Sequence, residues 1–109
     1  MPPPGSVVPI FPSQHVIVVF LLQLKSGHEE LVLEEFRPVL ELSRKEAGCV
    51  LFDLYRLADD PARLFVHEVW ESRDAFEAHA STLHTSRFRA AVNSYLERPI
   101  ERFEMLEVE

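Results

Sequence analysis

From His15 to Leu24 the chain reads HVIVVFLLQL, apolar at almost every place, with Val16, Val18, Phe20 and Leu22 on one side of a strand and Ile17, Val19 and Leu21 on the other. A strand apolar on both faces has to be covered on both. The period then changes. From about His28 to Glu46, Leu31, Val32, Phe36, Val39, Leu40 and Leu42 recur at helical spacing and predict one apolar stripe. Ser26 followed by Glu29 has the form of a capping box, Gly27 relieves the turn before it, and Gly48 predicts a C-terminal cap. Pro38 inside the stripe predicts a kink or local break. Strand character returns over 49–57, and Ala58-Asp59-Asp60-Pro61-Ala62 reads as a turn. The next strand, 63–71, must be antiparallel to its predecessor because the connection is too short for a crossover. It sets Leu64, Val66, Glu68 and Trp70 on one face and Phe65, His67 and Val69 on the other. A helix in two pieces follows, 73–80 and 86–97, around a polar break at 81–85. Pro99 ends it, and 100–108 predicts a last strand alternating Arg102, Glu104, Leu106 and Val108 against Phe103, Met105 and Glu107.

The order β-α-β-β-α-β predicts an α+β fold of the ferredoxin-like split βαβ kind, a four-stranded antiparallel sheet with its helices on one face. Ile17, Val19, Leu21, Phe65, Val69, Phe103 and Met105 then fall on the uncovered face, more apolar surface than a monomer usually exposes. A second copy is the expected cover, giving a homodimer and a dimeric α+β barrel. Residues 1–14 carry five of the eight prolines and read as an arm outside a domain spanning 15–109.

Composition narrows the partners. A chain of 109 residues holds one core, and 47% apolar residues with eight Phe are enough to build it. A net charge of -7, with eleven basic residues scattered among eighteen acids, argues against nucleic acid and against an anionic membrane surface. No apolar run approaches the roughly 18 residues of a bilayer span, and no basic region precedes an early apolar run as in a secretory signal. Cys49 is the one cysteine, so an internal disulfide is impossible and residence in the cytoplasm is the expectation.

The chemistry concentrates in Arg63 to Phe88, where a strand carrying Glu68 and Trp70 runs into a helix carrying Phe76 and His79, then into His84. Imidazole titrates near neutral pH, which makes His79 the first candidate for a general base. Glu68, directed at a core, needs a partner whatever its function. Trp70 serves equally as core or as a platform for a ring, and His84 as a loop hydrogen-bonder or a substrate contact. Phe20, Phe36 and Phe76 would line an apolar pocket or fill a solid core; Arg87 and Arg89 would meet a phenolate at the pocket edge. No metal is expected, because His79 and His84 are five apart rather than an i, i+4 pair and Cys49 has no partner cysteine. With glycines only at 5, 27 and 48 there is no phosphate loop, hence no nucleotide cofactor.

Glu68-Val69-Trp70 on the third strand, Phe76 and His79 on the next helix, and His84 with Phe88 beyond it resemble the antibiotic biosynthesis monooxygenase family; Gly27, Glu46-Ala47-Gly48-Cys49 and Asp60-Pro61 are similar to it as well. The resemblance implies a dimeric ferredoxin-like fold with a pocket between sheet and helices. It further implies a cofactor-independent monooxygenase that brings O2 to a small aromatic or quinol-type compound, with His79, Glu68 and Trp70 catalytic and Phe20, Phe36, Phe76, His84 and Arg87 binding substrate. The alternative within the family is a non-oxidative small-molecule binder or isomerase on the same dimeric fold. The haem-degrading branch is not expected, since Phe20, His79 and Arg89 stand where that branch has asparagine, tryptophan and histidine. Two departures from the monooxygenase pattern stand out: Thr85-Ser86-Arg87 separate His84 from Phe88, and Val66 occupies a position that is asparagine in the polyketide-processing members.

Overall fold

The structure is a computed structural model and describes residues 11–108. Its elements are β1 (Val16–Gln23), α1 (Glu29–Arg44), β2 (Cys49–Leu57), β3 (Asp60–Trp70), α2 (Arg73–Ala80), α3 (Leu83–Val92), a 3-10 turn (Asn93–Tyr95) and β4 (Glu101–Met105). The strands form one antiparallel sheet in the order β2-β3-β1-β4, the ferredoxin-like arrangement read from the sequence. No helix of the described residues is long and apolar enough to cross a membrane.

Register decides which side chains meet. Val18 pairs with Glu68, Phe20 with Val66 and Leu22 with Leu64, while on its other edge Phe20 pairs with Arg102. These residues share the face toward the helices. There Val18, Leu22, Leu64 and Val66 join Val32, Phe36 and Val39 of α1, Phe76 of α2, and Phe88 and Val92 of α3 in one buried core. The one-residue offset puts Ile17, Val19, Phe65 and Met105 around a second, shallower hollow on the opposite face. Phe103, Met105 and Tyr55 are exposed there.

Several local expectations are corrected. α1 runs unbroken through Pro38, which lies on its exposed side, where water can take the carbonyl the proline leaves without a donor. The capping box is half formed: Glu29 accepts from the Gly27 backbone at 3.0 Å, but the N-cap is His28, with no side-chain cap bond. The buried stripe is Val32, Phe36, Val39 and Ser43, leaving Leu31 and Leu42 exposed. Lys45 is the C-cap of α1, so Gly48 serves elsewhere, as described below. The β2–β3 turn closes at Leu57 and Asp60, shorter than the five residues expected, and Pro61 lies inside β3. The break between α2 and α3 is only Ser81 and Thr82, because the Thr82 side chain caps α3 and starts it three residues early. The last strand ends at Met105, with Leu106 and Val108 exposed. The proposed arm falls for residues 1–10 outside the described residues; at its described end, the Phe11 N–H donates to Glu107 Oε1 at 2.7 Å.

Candidate functional site

Ser72 leaves β3 in an extended conformation, and its hydroxyl accepts from the Ala75 N–H, which starts α2. Phe76 and His79 then fall three residues apart on the buried side of that helix. Gly48 supplies the second ingredient. Its φ of +82° suits glycine, and a Cβ there would lie 2.6 Å from Ala75 Cβ, so only glycine lets this turn sit on the first turn of α2. The Gly48 carbonyl accepts from the Glu71 N–H at 2.8 Å. Through that contact the preceding residue pair carries Glu46 against the ring of His79.

The result is a chain of polar groups in an apolar setting. His79 Nδ1 lies 2.7 Å from Glu46 Oε2, and His84 Nε2 lies 2.9 Å from the same oxygen. A carboxylate only accepts, so both imidazole nitrogens donate to it. On the far side of the His79 ring, Nε2 is 3.6 Å from Glu68 Oε1, too long for a hydrogen bond and close enough for one hydroxyl to reach both from the side. Glu68 takes its bond from the Trp70 indole N–H at 3.0 Å. Trp70 stacks on His79 with ring centroids 4.5 Å apart, and Phe52 meets the same imidazole edge-on.

Burial sets the charges. Glu68 is 3% exposed, and desolvation pushes its carboxyl up to about 7, with the Trp70 bond opposing that rise and Glu46 adding to it. Burial holds His79 below the ordinary histidine range, although Glu46 pulls the other way. The imidazole is therefore neutral at pH 7, protonated on Nδ1 and open on Nε2. Cys49, pushed up to about 11 by burial and by Glu46, stays a thiol and offers no nucleophile.

A cavity of about 540 Å³ opens between sheet and helices, with Glu68 and His79 in its wall. Phe20, Phe36 and Phe76 line it as expected, joined by Phe52 and Phe88. Three expected site residues are placed differently. Trp70 is wholly buried behind His79, off the cavity wall, because α2 closes over the end of β3. His84 sits in the first turn of α3, turned to Glu46 rather than to the cavity. Arg87 is exposed and outside the wall, since it lies about a quarter turn round α3 from the buried Phe88; Arg89 of α3, together with Arg73 and Arg102, lines the cavity instead. Sequence reading gave Glu46 no role in the site; its signal was its place in Glu46-Ala47-Gly48-Cys49 before β2. Glu46, His79 and His84 bring one ligand atom each to within 4.8 Å, the donor set for a divalent ion that the His79–His84 spacing had hidden. Both imidazoles are satisfied by Glu46 itself, and an ion would have to replace both hydrogen bonds.

The sequence profile described as Antibiotic biosynthesis monooxygenase matches residues 15–91. The uncharacterized protein YjcS of Bacillus subtilis is 29% identical over 73 residues, 67% of this chain and 70% of that protein. Rv0793 of Mycobacterium tuberculosis, which bears the provisional name of monooxygenase, is 38% identical over 58 residues, 53% of this chain and 56% of its own length. A structure from Nitrosomonas europaea, provisionally named an antibiotic biosynthesis monooxygenase, superposes with a TM-score of 0.83 at 26% identity, covering 87% of this chain and 91% of that one.

Proposed function

The chain belongs to the antibiotic biosynthesis monooxygenase family, whose profile spans most of its length, and from that membership we propose that it is a cofactor-independent monooxygenase of a small aromatic, quinol-type compound. The observation that carries this reading is the open Nε2 of His79 on the wall of a phenylalanine-lined cavity, its other nitrogen tied to Glu46.

A ring bound among Phe20, Phe36 and Phe76 brings a hydroxyl to Nε2. His79 takes that proton, and Glu46 stabilises the imidazolium that forms. The phenolate is the electron-rich species that reduces O2, and the apolar wall keeps water from it. For a hydroquinone the overall change is substrate plus O2 to hydroxyquinone plus water, with all four electrons drawn from the substrate. Glu68, near its midpoint at neutral pH, is suited to return a proton to the reduced oxygen. Trp70 acts through its neighbours, stacked on His79 and bonded to Glu68.

The same reading takes the protein as a homodimer, paired through the sheet face where Phe103 and Met105 are exposed. The pairing of a neutral imidazole with a carboxyl of pKa about 7 also suits an isomerase, which needs only proton transfer. Oxygen uptake with a panel of hydroquinones separates the two. Uptake that disappears in His79→Ala supports the monooxygenase; proton exchange into a bound ligand without uptake supports the isomerase.

A further inference from the structure

The chain carries eleven basic residues against eighteen acids, yet three arginines reach this one cavity. They come from three elements and line up along α2. Arg73 begins that helix, Arg102 of β4 lays its guanidinium over the Phe76 ring at 5.2 Å, and Arg89 of α3 reaches the Ala80 carbonyl at 3.4 Å. Positions 73, 76 and 80 are each about one helical turn apart, so the contacts of the three arginines follow one side of α2.

Their partners are unequal. Arg73 is engaged by both carboxylate oxygens of Glu104, one of them at 2.9 Å, and Arg102 shares Glu104 at 3.2 Å. Arg89 makes no ion pair among the described residues; its bond to Ala80 is long and leaves most of its donors open. The acids of the wall are Glu77 and the buried Glu68. Arg102 lies across Phe20 from Val66, two strand spacings or about 10 Å from β3, which carries Glu68. The cavity thus carries on one phenylalanine-lined wall both the proton-accepting pair, His79 and Glu68, and the cations Arg89 and Arg102.

We propose that the ligand of this cavity is an aromatic hydroxy compound bearing a carboxylate, the hydroxyl meeting His79 and the carboxylate held by Arg89 and Arg102. This rests on the monooxygenase reading for the reaction but not for the binding. The stacked guanidinium of Arg102 is fixed in advance, so little freedom is lost when the anion arrives.

The test is calorimetric binding, under argon, of 3-(2,5-dihydroxyphenyl)propanoate and of its amide, which match in size and differ in charge, to the full-length chain. The acid is expected to bind about ten-fold tighter than the amide, with a preference that shrinks as salt is raised. In the Arg89→Gln/Arg102→Gln variant the ratio is expected to fall below about three. Both arginines are exposed, and the melting temperature of the variant checks that it folds. Equal affinities, a preference that survives the double variant, or no binding of either compound at about 5 mM overturns the proposal. Oxygen uptake is read separately. A charge preference without uptake sinks the monooxygenase reading and keeps the carboxylate; uptake at equal kcat/KM for acid and amide does the reverse.

Discussion

His67 and Glu68 are neighbours in one strand and look out of opposite faces of one sheet. Glu68 enters a closed layer in which its own strand gives it an indole, while α2 and the turn at Gly48 add an imidazole and a second carboxylate within two contacts. His67 borders a shallow hollow of Phe11, Val19, Phe65 and Met105, with Asp53 as its cross-strand neighbour on β2. Neither face is more polar in its sequence alternation. What differs is cover: helices on one side remove water and turn ordinary groups into tuned ones, while the other side leaves apolar surface exposed.

The largest expected effect comes from the buried side of this comparison. Trp70→Ala removes a wholly buried indole and should cost about 3–5 kcal/mol in urea unfolding, whereas Tyr55→Ala on the open face should cost less than about 1 kcal/mol. A similar cost for both would erase the distinction. Next in size is the pH response of Glu68, whose pKa rises on folding from 4.5 to about 7. A folded state that binds the proton more tightly is favoured below pH 4.5, and that advantage is lost as pH rises through 7, about 3 kcal/mol in all. Glu68→Gln should therefore gain stability on the wild type between pH 5 and 8. His79, lowered on folding, acts with the opposite sign in both proteins. A difference that is flat across this window would contradict the burial of Glu68.

Much of this fold was legible. The alternation of β1 and β3, the helical spacing of Val32, Phe36 and Val39, and the short β2–β3 turn fix the sheet order once crossover rules apply. Alternation also told which face Glu68 and Trp70 share, but not how deep each lies, because depth depends on where α2 crosses. Arg102 was missed for a related reason: β4 meets the cavity only through its pairing with Phe20. Glu46 stood in a recognisable stretch, but its place beside His79 was unreadable because a tertiary contact, Gly48 on Ala75, brings the two together across 33 positions of chain.

Glu46 sharpens the comparison further. Glu46→Gln keeps the volume and loses the charge that supports an imidazolium, and should lower kcat by about ten- to a hundred-fold with little change in KM. An unchanged kcat would remove Glu46 from the mechanism. The smallest effect on stability belongs to the open face. Phe103→Glu should shift the oligomer toward monomer in sedimentation while changing unfolding at low concentration by under about 1 kcal/mol, and an unaltered assembly would point away from this face.

The claim on which the rest stands is the protonation of one ring, and nitrogen-15 NMR of His79 at pH 7 reads it directly. The account predicts a neutral imidazole with its proton on Nδ1 and a bare Nε2. A proton on Nε2, or on both nitrogens, would contradict it.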